Sequence, residues 1–159
     1  MDDHREQVSL SLAQHAVRLQ TLLDRRIMSV LNEHGLSRSE LDVLGALAEC
    51  DDVGARPGEL SSRLLLTTGG LSNILRRLHD DGVIERETDP SDARSHIVRL
   101  TPKGKATAHE TGIAATVAIG RALDTVEESL LQETAELLHR VLIVMDEDAP
   151  VHRDPPRTS

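Results

Sequence analysis

Residues 67–104 read TTGGLSNILRRLHDDGVIERETDPSDARSHIVRLTPKG, and this stretch decides the fold. Apolar residues recur at steps of three and four between Leu71 and Leu78, which predicts an amphipathic helix over residues 68–81. Gly82 is expected to end this helix, because glycine is common just after the last helical turn. The stretch therefore begins with a short helix whose first residues are small and polar.

A two-stranded ribbon is predicted directly after that helix. Residues 83–88 and 96–100 are short runs that suit strands, and the Asp-Pro-Ser-Asp sequence at residues 89–92 favours a turn between them. Thr101 and Pro102 then open a further helix, since proline is tolerated in the first helical turn. A helix followed at once by a ribbon can contact two grooves of DNA.

Three helices are predicted up to this stretch. The first covers residues 6–33, and the second opens at residue 37 with the capping box Ser-Arg-Ser-Glu. The third covers residues 58–65, directly after Pro57. The first helix has apolar positions Leu12, Ala16, Leu19, Leu23, Ile27 and Val30, and the second has Leu41, Leu44, Leu47 and Ala48.

Two helices are predicted after the ribbon. One runs to about Ala122, and the other runs from beyond Asp124 to about Asp146. Residues 149–159 contain three prolines and no apolar face, so a disordered tail is expected there. The apolar positions of the last helix are Val126, Leu130, Leu137, Val141 and Val144.

The composition restricts both the core and the class of partner. The 159 residues include no Phe, Trp or Tyr, so the core must consist of aliphatic side chains, which suits packing between helices. Binders of RNA and single-stranded DNA usually stack bases on aromatic side chains, so these classes are disfavoured. The net charge is −9, but residues 60–105 carry eight Lys or Arg against six Asp or Glu, a balance of +2. Because the positive charge is concentrated in residues 60–105, this part of the chain could contact DNA while the rest of the protein stays acidic.

Short helices followed by a ribbon constitute a winged helix-turn-helix, so the predicted fold class is mainly α with a small β-wing. In this arrangement helix 68–81 lies in the major groove with its first residues at the base edges. Its polar residues are candidates for contacts to bases and phosphates, although an ordinary surface helix has a similar pattern. The candidates are Thr67, Thr68, Gly69, Gly70, Ser72, Asn73, Arg76 and Arg77.

The wing supplies a second set of candidates, namely Asp92, Arg94 and Ser95. Asp92 stands two residues before Arg94 at the predicted tip. A carboxylate in that position can hold the guanidinium in one orientation, which suits the narrow and negative minor groove. A solvated hairpin turn accounts for the same sequence, so the tip alone does not decide the function.

Residues 82–104 resemble the wing of the MarR family of bacterial transcription regulators. The family pattern is approximately Gly, two hydrophobic residues, Arg, then Asp-Pro-x-Asp-Arg-Arg and Val-x-Leu-Thr-x-x-Gly. Two positions depart from the family: Ala93 replaces the first of two wing arginines, and Asn73 stands where many members have a basic residue. The matching positions are Gly82, Val83, Ile84, Arg86, Asp89, Pro90, Asp92, Arg94, Val98, Leu100, Thr101 and Gly104.

The resemblance implies a homodimer in which the helices of residues 6–33 and 105–146 interlock, beside a DNA-binding domain at residues 37–104. It also implies a pseudo-palindromic operator of double-stranded DNA, and a small organic, often anionic effector that releases the protein from it. The protein would then act as a repressor. His15, together with Arg18 or Arg25, is a candidate contact to such an effector, although plain surface roles fit these residues as well.

Other functions receive little support from the sequence. The alternative function is a dimeric winged-helix module that binds proteins and has lost DNA binding. No nucleophile–base pair or paired carboxylates are recognisable, so neither an enzyme nor a cofactor is expected. The eight histidines are scattered, so no metal site is expected, and Cys50 precedes two acidic residues that disfavour a reactive thiolate. The acidic start and the lack of a long apolar run predict a cytoplasmic protein rather than a membrane protein.

Overall fold

The computed structural model of the chain describes residues 3–89 and 92–147, and it describes Asp51 and residues 92–94 by their backbone alone. The predicted disordered tail at residues 149–159 lies outside the described residues. The elements follow in the order α1 (Asp3–His34), α2 (Arg38–Ala48), a 3₁₀ turn (Asp51–Val53), α3 (Pro57–Arg63), α4 (Thr68–Asp80), β1 (Ile84–Asp89), β2 (Asp92–Leu100), α5 (Pro102–Leu123) and α6 (Glu128–Val144).

The chain divides into two units, residues 1–122 and residues 123–159. The first unit contains the helices up to α5 and the two strands, and the second contains α6. The predicted fold class is confirmed, because the described part is mainly helical with one two-stranded antiparallel sheet. None of the described helices is both long and apolar enough to span a membrane.

The capping box predicted at the start of α2 is present. The Ser37 hydroxyl accepts a hydrogen bond from the Glu40 amide at 3.3 Å, and a Glu40 carboxylate oxygen accepts from the Ser37 amide at 2.7 Å. The predicted apolar face of α2 was partly wrong, because Ala48 is exposed while Val43 and Ala46 are buried. The face toward the core is therefore rotated by a fraction of a turn from the predicted one.

The helix-turn-helix connection differs from the prediction at its last residues. α3 includes Pro57, one residue before the predicted range, and ends at Arg63, two residues before the predicted end. Leu65 has a φ of +51° and its side chain is 79% exposed. The turn is closed by the Leu66 amide, which donates to the Ser61 carbonyl at 3.0 Å. A non-glycine residue thus occupies a left-handed position in this turn.

The wing is longer than predicted. β2 begins at Asp92 rather than residue 96, and the antiparallel register pairs Ile84 with Leu100 and Thr88 with His96. Ala55 adds an antiparallel bridge on the other side of β2, with both of its backbone hydrogen bonds to Val98 at 2.9–3.0 Å. This bridge was not predicted from the sequence.

One aliphatic core unites the helix-turn-helix with the wing. Gly104, at the start of α5, packs so closely on the chain entering β1 that an added Cβ would lie 1.9 Å from the Val83 carbonyl oxygen. The buried members of this core are Val43, Leu44, Ala46, Leu47, Ala55, Leu60, Leu71, Leu75, Leu78, Val83, Ile84, Val98 and Leu100.

The long helices are much less buried. In α1 the buried residues are Ile27 and Leu31, which pack with Ala115 of α5. In the second unit α6 begins at Glu128, so Val126 precedes the helix instead of lying on its apolar face as predicted. α6 has no buried residue in this structure, although Leu130 and other large apolar side chains recur along it.

Candidate DNA interface

The core fixes which face of α4 points outward. Leu71, Leu75 and Leu78 are buried, and an α-helix turns by about 100° per residue. The opposite face is therefore centred on Asn73 and Arg76, and both residues are exposed. These two positions are the best placed on α4 to meet a partner.

The first turn of α4 is exposed as a whole. Thr67 is the N-cap residue, and its hydroxyl accepts a hydrogen bond from the Gly70 amide at 3.1 Å. Thr68 and Gly69 are exposed beside it, and Ser72 is exposed one turn later. Amide groups at the start of a helix lack partners within the helix, so this end suits contacts to phosphate oxygens.

Asn73 and Arg76 are already in contact with each other. An Arg76 Nη2 donates to the Asn73 side-chain oxygen at 3.0 Å. This contact directs the guanidinium back toward the start of α4 and leaves the Asn73 amide nitrogen as a donor. The arrangement offers a base edge or a phosphate only hydrogen-bond donors from these two residues.

Arg77 is placed differently from Arg76. It lies about 100° further round the helix, and its Nε is 3.3 Å from an Oε1 of Glu40 in α2. The Glu40 side chain is only 2% exposed, whereas that of Arg77 is 60% exposed. From the sequence, Arg77 is predicted together with Arg76 as a phosphate contact, and the structure separates the two residues.

The end of α4 is held by the start of α5. The Thr101 hydroxyl donates to the Gly82 carbonyl at 2.8 Å, and Lys103 Nζ donates to the Asp81 carbonyl at 2.6 Å. Thr101 also accepts from the Gly104 amide at 3.0 Å, which caps α5. The C-terminal end of α4, the helix that carries the outward face around Asn73 and Arg76, is therefore fixed to the start of α5.

The side chains of Asp92 and Arg94, predicted to contact DNA from the wing, lie outside the described part of the structure. Ser95 is described and is half-buried. The end of β1 next to the hairpin turn is held by a contact that was not predicted from the sequence. Arg56, the N-cap residue of α3, donates from Nε to the buried carboxylate of Asp89 at 2.7 Å.

Two further ion pairs fix the edge of the wing domain. Arg99 of β2 pairs with Glu87 of β1 and donates from Nε to the Val53 carbonyl at 3.2 Å. Asp52 pairs with Lys105 of α5, and the hydrogen bond and charge of that ammonium hold the pKa of Asp52 below its ordinary value of 3.8. These pairs tie the 3₁₀ turn to the wing and to α5.

The predicted effector residues all lie on α1, where Arg18 lines a groove of about 460 Å³. His15, Arg18 and Arg25 are exposed, and His15 Nδ1 is 2.7 Å from the Ser11 carbonyl oxygen. A second groove, of about 580 Å³, lies between α1 and α5. It is lined by Arg26, Ser29, Val30 and Glu33 of α1 and by Ala114, Val117, Ala118, Arg121 and Ala122 of α5.

Known proteins with a similar sequence or fold are regulators of the winged helix-turn-helix type. A family model described as MarR family matches residues 34–95, which span α2 to the first part of β2. Over this region the chain is similar to the MarR family. It is 36% identical over 72 residues to YkoM of Bacillus subtilis, an uncharacterized HTH-type transcriptional regulator, and this match covers 45% of the chain and 46% of YkoM. The chain spans about half the length of the curated relatives it matches.

Solved structures of MarR-family proteins share the fold over most of the chain. A mutant of MarR from E. coli complexed with operator DNA has a TM-score of 0.73 at 24% identity, covering 89% of this chain and 99% of that one. CouR from Rhodococcus jostii RHA1, bound to p-coumaroyl-CoA, has a TM-score of 0.73 at 17% identity, covering 90% and 95%. At these identities the likeness establishes the fold of this chain.

Proposed function

We propose that this chain is a MarR-family transcription regulator that binds double-stranded DNA as a homodimer. The observation that carries the proposal is the outward face of α4, where Asn73 and Arg76 are exposed while the rest of the helix is fixed by the core and by α5. α4 would enter the major groove, with Thr67 to Gly70 near the phosphates. The likeness in fold to a MarR complexed with operator DNA supports this use of the helix.

The proposed dimer uses the long helices. Val8, Leu12, Leu19 and Leu22 are 37–55% exposed along α1, an unusual number of large apolar side chains on one helix. A second copy of the chain would cover them. Two copies of α4 would then read two half-sites about one helical turn of DNA apart, which requires a pseudo-palindromic operator.

The proposed effector is a small organic anion that releases the protein from DNA, so that the protein acts as a repressor. Arg26 and Arg121 line the groove between α1 and α5 and can provide positive charge beside aliphatic side chains. The likeness in fold to a CouR that binds p-coumaroyl-CoA supports a small-molecule site in this fold. An effector that prefers a conformation with the wrong spacing of the two α4 helices would weaken DNA binding.

Fluorescence anisotropy with labelled DNA from upstream of the chain's own gene tests the proposal. Wild type is expected to bind, and Arg76→Ala is expected to weaken binding and to lower the salt dependence by about one counterion. Arg5→Ala is the matched control, because it removes the same charge from an exposed position in the first turn of α1. Equal affinity of all three proteins would reject α4 as the reading helix.

A protein-interaction module without DNA binding is the competing outcome of that experiment. It predicts that wild type binds neither the upstream DNA nor other double-stranded sequences above the non-specific level. Specific binding that is lost on addition of an aromatic acid would support the regulator and its effector together. Because the chain has no aromatic residue, the folded state must be followed by circular dichroism or by an added dye.

A further inference from the structure

Glu40 is a buried carboxylate that makes two contacts, one within α2 and one with α4. The residue is 1% exposed and occupies the third position of α2. Its Oε2 accepts from the Ser37 amide at 2.7 Å and completes the capping box, while its Oε1 lies 3.3 Å from Arg77 Nε of α4. The capping box alone would leave this residue at the surface, so its burial reflects the contact with α4.

Arg77 cannot leave Glu40 without consequence. If its guanidinium moved to a phosphate, the Glu40 carboxylate would stay buried with one hydrogen bond and no opposite charge. Leaving this 2% exposed carboxylate without its opposite charge is unfavourable, because a buried carboxylate cannot recover the lost interaction from water. The pair should therefore persist when the protein is bound to DNA.

The Glu40–Arg77 pair lies where it can restrict the rotation of α4. Arg77 follows Arg76 directly, but it lies on the flank of α4 beside α2 rather than on the outward face. A fixed contact on the flank restricts rotation of α4 about its own axis. That rotation determines whether Asn73 and Arg76 face the groove of the DNA.

We propose that Glu40 and Arg77 form a positioning pair that sets the rotation of α4, and that Arg77 does not neutralise a DNA phosphate. This proposal rests on the proposed DNA-binding function of α4, and it reassigns one residue that the sequence analysis counted as a DNA contact. The same end of α2 also contacts α1, because Arg38 pairs with Asp24 of α1. α2 therefore contacts both α4, through Glu40, and the helix that carries the exposed apolar residues.

The test compares Arg77→Met with Arg76→Met by the salt slope, which is the slope of log affinity against log salt concentration. The two substitutions are at adjacent residues, and each removes one charge and keeps an unbranched side chain. Arg77→Met is expected to weaken operator binding by about tenfold, the cost of one lost base contact, with an unchanged salt slope. Arg76→Met is expected to lower the slope by about one counterion.

Glu40→Gln and the double variant complete the design. Glu40→Gln keeps an oxygen for the Ser37 amide and removes the charge, so it is expected to weaken binding as Arg77→Met does. The double variant Glu40→Gln with Arg77→Met should bind about as well as either single variant, because both remove one pair. It also removes the unpaired buried charge, so it serves as the folded comparison if Arg77→Met unfolds.

Three results would overturn the proposal. A lower salt slope for Arg77→Met together with tighter binding by Glu40→Gln would make Arg77 a phosphate contact that Glu40 restrains. Wild-type affinity of the double variant, with circular dichroism unchanged, would remove any role of the pair in binding. Additive losses would show that the two residues act separately. Failure of the proposed function is distinct, because wild type itself would then show no specific binding.

Discussion

The winged domain buries most of its apolar side chains, whereas α1 leaves most of its own exposed. Leu44, Leu47 and Leu78 are inaccessible in the winged core, while Leu12 and Leu19 of α1 are 44% and 37% exposed. Both regions are rich in leucine, so composition does not explain the difference. In the winged domain, short helices and a sheet surround one core, whereas the buried residues of α1 are Ile27 and Leu31, near its end.

This difference separates two kinds of stability in one chain. The winged domain can fold by burying surface within a single protomer, so its stability should not depend on protein concentration. In the proposed dimer the exposed face of α1 is buried against a second copy of the chain, and its contribution should depend on concentration through mass action. Substitutions in the two regions therefore test the comparison directly.

The largest expected effect is in the winged core. Leu47→Ala should lower the free energy of unfolding by about 2–5 kcal/mol, because it leaves a cavity among buried side chains. The control is Val53→Ala, where the side chain is 73% exposed and a change within about 0.5 kcal/mol is expected. Urea unfolding followed by circular dichroism measures both. Equal losses for the two variants would show that Leu47 is not in a closed core.

The second effect concerns the exposed face of α1. Leu12→Gln combined with Leu19→Gln should raise the dimer dissociation constant by at least about tenfold, because the apolar area that a partner would cover is lost. Sedimentation velocity over a range of concentrations measures it, with Val53→Gln as the matched exposed control. An unchanged assembly in the double variant would mean that this face of α1 is not the dimer interface.

A smaller gain is expected in the helix-turn-helix connection. Leu65→Gly should stabilise the domain by about 0.5–1 kcal/mol, since glycine adopts a positive φ without strain and the 79% exposed leucine contributes little packing. Leu65→Ala keeps the strain and should give no such gain. A loss of stability in Leu65→Gly would show that the leucine side chain is needed, for example against another molecule.

The smallest effect is a dependence on pH. Lys105 lowers the pKa of Asp52 in the folded state, so this pair stabilises the fold above the ordinary pKa and loses that contribution as the pH falls through the lowered one. Asp52→Asn should slightly lower the urea midpoint at about pH 7 and leave it unchanged at about pH 2. Lys105→Gln should have the same effect. A difference that persists at low pH would contradict the ion-pair origin.

Local features of the sequence predicted the elements well. Pro57 marks the start of α3 as predicted, and the capping box that opens α2 is present, because such signals depend on neighbouring residues only. The wing was predicted with a second strand that was too short. Residues 92–95 have a polar sequence that does not suggest a strand, and the structure extends β2 through them with an irregular register, in which Asp92 lies opposite Asp89.

The contacts that position the candidate site could not be predicted in the same way. Glu40 and Arg77 are 37 positions apart, and Arg56 and Asp89 are 33 apart, so no periodicity connects either pair. Each carboxylate had a sufficient local explanation, a helix cap for Glu40 and a turn for Asp89. These local roles do not explain why both carboxylates are buried, and their burial becomes visible only in the folded chain.

The most direct test of the central claim is a selection of double-stranded DNA from a random pool by the purified chain. Binding by a dimer through two copies of α4 predicts an enriched inverted repeat whose half-sites are about one helical turn apart. The same repeat should be lost when the selection is carried out with Arg76→Ala. An enriched sequence without inverted symmetry, or no enrichment by the wild-type protein, would contradict the account.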